Sequence, residues 1–278
     1  MGYFGSLVFY KNYLEMEHAT LGAILFMLAL IGPVLWYIRR AQEDNSLYVR
    51  KIPGIDAIDE AIGRAAELGR PISFTTGISS VSPVLYACLG VLFHIARKAA
   101  RYKSRLFLPQ SDAQVLVIAE DVMRDAYREE SRLPYLDPKT NIFLSDEQFA
   151  YAAGYMGLVQ REKMGAAFLF GHFAAESLLL AEAGQQVGAM QVASTVSPEQ
   201  VSFFICTCDY TLIGEELYAA SAYLTKEPVQ LGSLYGQDRA KLIFLLLIVV
   251  GVVIATCNSI WPELQLSNVD AWIQREFW

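Results

Sequence analysis

Two stretches of the chain show no alternation of polar and apolar positions at all. Residues 19 to 38, ATLGAILFMLALIGPVLWYI, and 242 to 261, LIFLLLIVVGVVIATCNSIW, are each 20 residues long and carry no charge. At about 1.5 Å per helical residue such a run reaches about 30 Å, the hydrocarbon thickness of a bilayer. The first ends in Trp36, Tyr37, Arg39 and Arg40; the second lies between Lys241 and the group Asn258, Ser259 and Trp261. Polar and aromatic anchors of this kind suit the two membrane interfaces. Both are therefore predicted to be transmembrane helices, the first tolerating a kink at Pro33.

Between them the pattern changes to short apolar runs and helical periodicities. Residues 54 to 69 place Ile55, Ile58, Ile62, Ala65 and Ala66 on one face, with Gly69 as a stop. ISFTT at 72 to 76 predicts a strand. A helix over 83 to 101, a strand LFLP at 106 to 109 and a helix capped by Ser111 or Asp112 follow, and LPYLDPKT is a loop by its prolines. Ser145 with Gln148 forms a capping-box pattern before the next helix. Then come a strand at 166 to 170, a helix at 173 to 183 and a strand at 189 to 193.

Residues 194 to 209 read two ways. Ser197, Pro198 and Glu199 make a helix start, but VSFFICT is β-prone. Only about eight residues separate FFICT from the preceding strand, where a helical crossover needs a dozen or more. A strand is preferred, joined by one helical turn or paired antiparallel. A helix over 212 to 224 and a linker, 227 to 241, complete the segment. Strands alternating with helices of this length predict an α/β fold, Rossmann-like, with a mostly parallel sheet and flanking helices, inserted between the two transmembrane helices. The division expected is a linker at 39 to 53, the α/β domain at 54 to 226 and the linker at 227 to 241.

The ends are aromatic. Residues 1 to 18 carry Tyr3, Phe4, Phe9, Tyr10 and Tyr13, and 262 to 278 place Val269, Trp272, Ile273 and Phe277 on one helical side behind a Ser267 cap. Both are expected to lie in a headgroup layer. The opening MGYFGS fits a myristoylation pattern in form only, and the apolar run lacks the basic lead and small-residue cleavage site of a signal peptide. Arg39, Arg40, Arg50, Lys51, Arg239 and Lys241 flank the spans on one side, against Lys11 and Arg275 on the other. The excess of positive charge faces the cytoplasm, so both termini are expected outside and the central domain inside.

Composition narrows the function classes. Charged residues make up 18% of the chain and hydrophobic ones 54%, which fits a few spans plus one folded domain. The net charge of −7, with basic residues spread along the chain, gives no field to hold nucleic acid. Four cysteines are too few and dispersed for a disulfide framework; Cys206 and Cys208 are spaced to share one strand face as buried small residues.

Candidate chemistry is sought where α/β sheets bind ligands, at the carboxyl ends of strands beside helix N-termini. Thr75, Thr76, Gly77, Ser79 and Ser80 follow the first strand, a hydroxyl-rich loop able to hold an anion or simply a capped turn. Gly171 and His172 follow the strand at 166 to 170, with Glu176 one turn on. Ser194 and Thr195 follow the next strand, and Asp209 follows FFICT. His172 and Glu176 form an acid/base or metal pair only with a third partner such as Cys206, Cys208 or Asp209. No G-x-G-x-x-G, P-loop or G-x-S-x-G pattern occurs. No metal or cofactor is called for, and no complete catalytic set is visible.

The runs IPGIDAIDEAIGRAAELGRPISFTTGISS, after one span, and CDYTLIGEELYAASAYLTKEP, before the other, resemble an uncharacterised bacterial membrane-protein family, a domain of unknown function. The resemblance covers roughly residues 50 to 260. It implies a bacterial inner-membrane setting and one intact domain between two spans, and carries over no activity, cofactor or catalytic residue. Three functions are ranked on this basis. The first is a membrane-anchored scaffold that self-associates or docks other membrane or cytoplasmic proteins, its spans free of charge and carrying Gly22, Gly32 and Gly251 for close helix contact. The second is a sensor of a small anionic ligand or nucleotide at the strand ends. The third is a hydrolase-like enzyme using His172, Glu176 and Asp209.

Overall fold

A computed structural model describes residues 21–43 and 53–260. The chain divides into two compact units, one formed by Tyr48–Glu227 and the other by Met1–Leu47 with Pro228–Trp278. The interfacial segments expected at 1 to 18 and 262 to 278, and Trp261, lie outside the described residues.

The first unit is an α/β sandwich. Its strands are β1 (Ile72–Gly77), β2 (Leu106–Gln110), β3 (Asn141–Phe143), β4 (Ala166–His172), β5 (Met190–Thr195) and β6 (Tyr210–Ile213). All neighbours pair in parallel, in the order β3-β2-β1-β4-β5-β6. That is the doubly wound order whose halves diverge between β1 and β4.

Helices α2 (Pro53–Glu67), α3 (Pro83–Tyr102), α4 (Ala113–Glu129) and α8 (Glu216–Thr225) pack on one face; α5 (Gln148–Glu162), α6 (Glu176–Val187) and α7 (Pro198–Thr207) pack on the other. The remaining helices, α1 (Leu21–Glu43) and α9 (Pro228–Ile260), form the second unit.

Strand alternation explains the two layers. Ile72, Phe74, Phe168, Phe170 and Val192 point into the layer containing α3, while Ala167, Leu169 and Ala193 point to the α5 side. Every residue of β1 and β5 is buried, as central parallel strands require. Ser73 and Thr75 also face α5. The Ser73 hydroxyl meets the Tyr155 hydroxyl at 3.2 Å and Thr75 meets that of Tyr151, so polar strand residues are matched one for one by tyrosines at i and i+4.

The helix starts follow local chemistry. Ser82 caps α3, its oxygen accepting from the Leu85 N–H, with Pro83 at the first position; Asp112 caps α4, accepting from Gln114 and Val115. The capping box at Ser145 does not form. Ser145 accepts from the Glu147 N–H in a turn and α5 begins at Gln148, whose side chain donates instead to Glu176.

Residues 198 to 207 correct the strand expected at FFICT. They form α7, and the strand paired with β5 is β6, whose Leu212 and Ile213 were expected to open a helix. A parallel neighbour requires a crossover, and Pro198–Thr207 is the only segment between β5 and β6 long enough to supply it. Phe204 buries its ring edge-on against Phe173, with centroids 5.1 Å apart. Cys206 is consequently exposed, not buried on a strand face. Strand β3 is three residues long and had no sequence signal of its own.

In the second unit α1 and α9 pack antiparallel. Phe26 stands edge-on to Phe244 at 5.4 Å, Tyr37 lies against Tyr235 at 5.0 Å, and Gly236 packs on the Val34 backbone. The close approach comes from Gly232 and Gly236, four residues apart: a Cβ on Gly232 would lie 2.6 Å from the Ile38 Cα, and one on Gly236 would overlap Val34. Both residues fall in the expected linker, which is helical from Pro228 onward. Gly32 and Gly251 have open space around them.

Among the described residues, two helices are long and apolar enough to cross a membrane by length and composition, Pro83–Tyr102 and Pro228–Cys257. More than half of the first is buried in the sandwich, which makes it a core helix, whereas almost none of the second is covered. α1 also presents apolar side chains outward, Met27, Leu28 and Leu35 among them.

Candidate functional site

The topology brings the carboxyl ends of β1 and β4 together at the point where the sheet halves diverge, and the sequence-predicted loops meet there. Gly77 has φ +65°, a left-handed conformation in which a Cβ would also strike the His172 carbonyl and the Phe173 ring. A Cβ on Gly171 would overlap the Thr76 carbonyl oxygen. These two glycines let the strand ends touch backbone to backbone.

The contact is then stitched by hydrogen bonds. The Ile78 N–H donates to the His172 carbonyl at 3.0 Å, the His172 N–H to the Ser79 hydroxyl at 2.7 Å, and that hydroxyl to the Thr76 carbonyl at 2.6 Å. From β2, Gln110 Oε1 accepts from the Thr76 hydroxyl at 2.6 Å and the Thr76 N–H at 3.3 Å, while the Ser111 hydroxyl donates to the Gly77 carbonyl at 2.6 Å. Thr75, Thr76 and Ser79 are buried, with Ser80 and His172 exposed above them. The hydroxyls expected to face an anion are thus spent on closing the crevice. One buried polar atom there has no partner: Gln110 Nε2.

His172 and Glu176 do not form a pair. Glu176 is buried, its carboxylate accepting from the Ala174 N–H at 3.0 Å and from Gln148, at the positive end of α6. The His172 ring has no hydrogen-bond partner among the described residues. Beneath them, burial pushes the Tyr151 and Tyr155 hydroxyls well above the ordinary tyrosine range, which keeps them neutral.

Ser194 and Thr195 end β5 on the same sheet edge, but buried: Ser194 donates to the Leu212 carbonyl at 3.2 Å and Thr195 accepts from the Ser197 N–H at 3.3 Å. Asp209 is elsewhere. Because 198 to 207 is a helix, Asp209 precedes β6 and sits at the amino edge of the sheet, accepting from the Gln191 N–H at 2.7 Å. Cys208 is beside it, its thiol pushed up to about 12 by burial. The third partner that His172 and Glu176 would have needed, Asp209 or Cys208, therefore lies at the opposite edge, and no group of three metal-ligating side chains occurs among the described residues.

Sequence reasoning missed Gln110, Tyr151 and Tyr155, and read Ser111 and Gln148 only as helix-start residues. Gln110 and Ser111 were legible as the polar end of LFLPQS, and the tyrosines as an i, i+4 pair facing a strand with alternate hydroxyls. No curated protein and no solved structure matches the chain. The domain of unknown function DUF6754 matches residues 11–265, nearly the whole chain, and the chain belongs to that family.

Proposed function

We propose that this chain is a membrane-anchored docking protein that associates with copies of itself and carries its α/β unit on the cytoplasmic side of a bacterial inner membrane. The observation that carries the anchor is the surface of α9. From Leu242 to Val253 most side chains are large, apolar and about half exposed, Leu246 at 63% and Ile248 at 61%. An apolar surface of this length is not sustained in water and matches lipid.

Orientation follows the basic residues: Arg39, Arg40, Arg239 and Lys241 flank the apolar segments on the side of the α/β unit in sequence. Docking, as against catalysis, is supported by the closed sheet edge, where nearly all candidate groups bond one another. Flotation of the full chain with lipid vesicles tests the anchor, and a reporter fused at residue 150 tests the orientation. Failure to float, or a reporter outside the cytoplasm, sinks the respective claim. Native mass spectrometry of gently extracted protein is expected to give one multimer of defined size; a monomer at all concentrations ends the self-association reading.

A second reading, a sensor of a small anion or nucleotide, is favoured by one observation. The unpartnered Gln110 Nε2 lies at the switch point where doubly wound sheets bind their ligands. A nucleotide panel should then raise the melting temperature of the chain and not of Gln110→Leu. Equal responses remove this site.

A further inference from the structure

The α1/α9 pair carries a second feature that neither the anchor nor the docking reading uses. A groove of about 570 Å³ runs between the two helices, lined by Gly32, Pro33, Trp36, Arg239, Leu242 and Leu246. Trp36 also borders an adjoining recess with Arg39, Arg40 and Glu43.

The antiparallel register sets the basic residues of the two helices at different levels. With Phe26 opposite Phe244 and Val34 opposite Gly236, Arg239 and Lys241 stand level with the middle of α1, well above Arg39 and Arg40. Lys241 is met by Asp238 at 3.7 Å. Arg239 is not: it donates to the Tyr235 hydroxyl at 3.2 Å and lies over that ring at 5.3 Å, both neutral partners. Arg40 likewise lies over Trp36 at 5.3 Å. No carboxylate among the described residues pairs with Arg39, Arg40 or Arg239. Among the described residues around the groove, three guanidiniums and one ammonium outnumber the carboxylates of Asp238 and Glu43.

We propose that this groove holds one acidic phospholipid, its phosphate on Arg239 and an acyl chain along Gly32, Pro33, Leu242 and Leu246. An arginine that lines an apolar groove, with no carboxylate partner among the described residues, attracts an anion, and its planar fork suits a phosphate. Arg39 and Arg40 at the lower mouth add the preference for a net negative headgroup. The proposal rests on the membrane-anchor reading above.

The test uses the full chain, reconstituted in phosphatidylcholine vesicles with a minority of phosphatidylglycerol, extracted in mild detergent and weighed by native mass spectrometry. One phosphatidylglycerol per chain should be retained, enriched at least about tenfold over its share of the vesicle, the selectivity a charge-assisted contact supplies. Arg239→Gln should lose the enrichment. Gly32→Leu should lose it too, since its side chain enters open space and fills the groove without touching the charges.

Both variants should still float with vesicles. Enrichment unchanged in Arg239→Gln, or absent in the wild-type chain while it floats, overturns the groove and leaves the anchor standing. A wild-type chain that does not float overturns both. Displacement of the lipid by inorganic phosphate would make this a simple anion site and overturn the lipid assignment.

Discussion

At Gly171 the backbone of β4 lies against the Thr76 carbonyl with no room for a methyl group, and the only relief is to part the two central strands. Gly171→Ala should cost at least about 3 kcal/mol, the scale of overpacking plus backbone strain. Gly188 is the control. It ends α6 at φ +69° with open space around it, so Gly188→Ala should cost only about 1 kcal/mol, the left-handed penalty alone. Urea unfolding of both variants tests the difference, and equal losses would mean the strand ends are not in contact. Glu130 supplies a pH-dependent case. Hydrogen bonds from Arg101 and Arg97 hold its carboxyl at about 2, below the usual 4.5. A depressed carboxylate stabilises the fold above its unfolded value, and the effect is lost as pH falls from about 4.5 toward 2. Glu130→Gln should therefore be destabilised by up to about 1 kcal/mol at neutral pH, since surface pairs give no more, with the gap narrowing below pH 4.5. A gap constant with pH would show that the loss is not one of charge.

At the scale of elements, Tyr151 and Tyr155 lock α5 onto β1. Tyr151→Phe leaves the Thr75 hydroxyl with only the Gly77 N–H, and should cost about 1 to 2 kcal/mol by urea unfolding. No loss would mean that the hydroxyl pair is dispensable. The central strands were legible because each is a short, mainly apolar or β-branched run with Gly or Pro close by, a pattern that burial on both faces favours. Edge strands lack that imprint. β3 and β6 are short and partly exposed, so their residues NIF and YTLI carry no pattern that distinguishes them from loop or helix. The helix at 198 to 207 failed for a different reason: its aromatic and β-branched residues favour a strand locally, and topology overrides the preference. Asp209 moved to the other sheet edge with it. Thr75 to Ser80 stand at the carboxyl end of β1, the first three of them within the strand itself. What these hydroxyls do was hidden, because their partners Gln110, Ser111 and His172 come from other elements.

For the molecule as a whole, the two units place contrasting demands on their surroundings. The α/β unit buries two layers of core on either side of its sheet and exposes polar helix faces, such as the Arg124 and Arg128 pairs along α4. The α1/α9 unit does the reverse. Its helices touch through Gly232 and Gly236 and turn their large apolar side chains outward, which water penalises at about 25 cal/mol per Å² and lipid does not. The difference predicts that stability and solubility separate on cutting the chain. A fragment spanning 48 to 227 should be soluble without detergent and unfold in one cooperative transition, since both core clusters lie within it. In the full chain, Gly236→Leu should force α1 from α9 and abolish cross-linking between cysteines placed at Phe26 and Phe244, while the cooperative transition of the α/β unit stays where it was. A fragment that aggregates, or a Gly236→Leu chain whose α/β transition shifts with the cross-link, would show instead that the helix pair supports the sandwich. The two apolar helices and the sandwich would then be one folding unit.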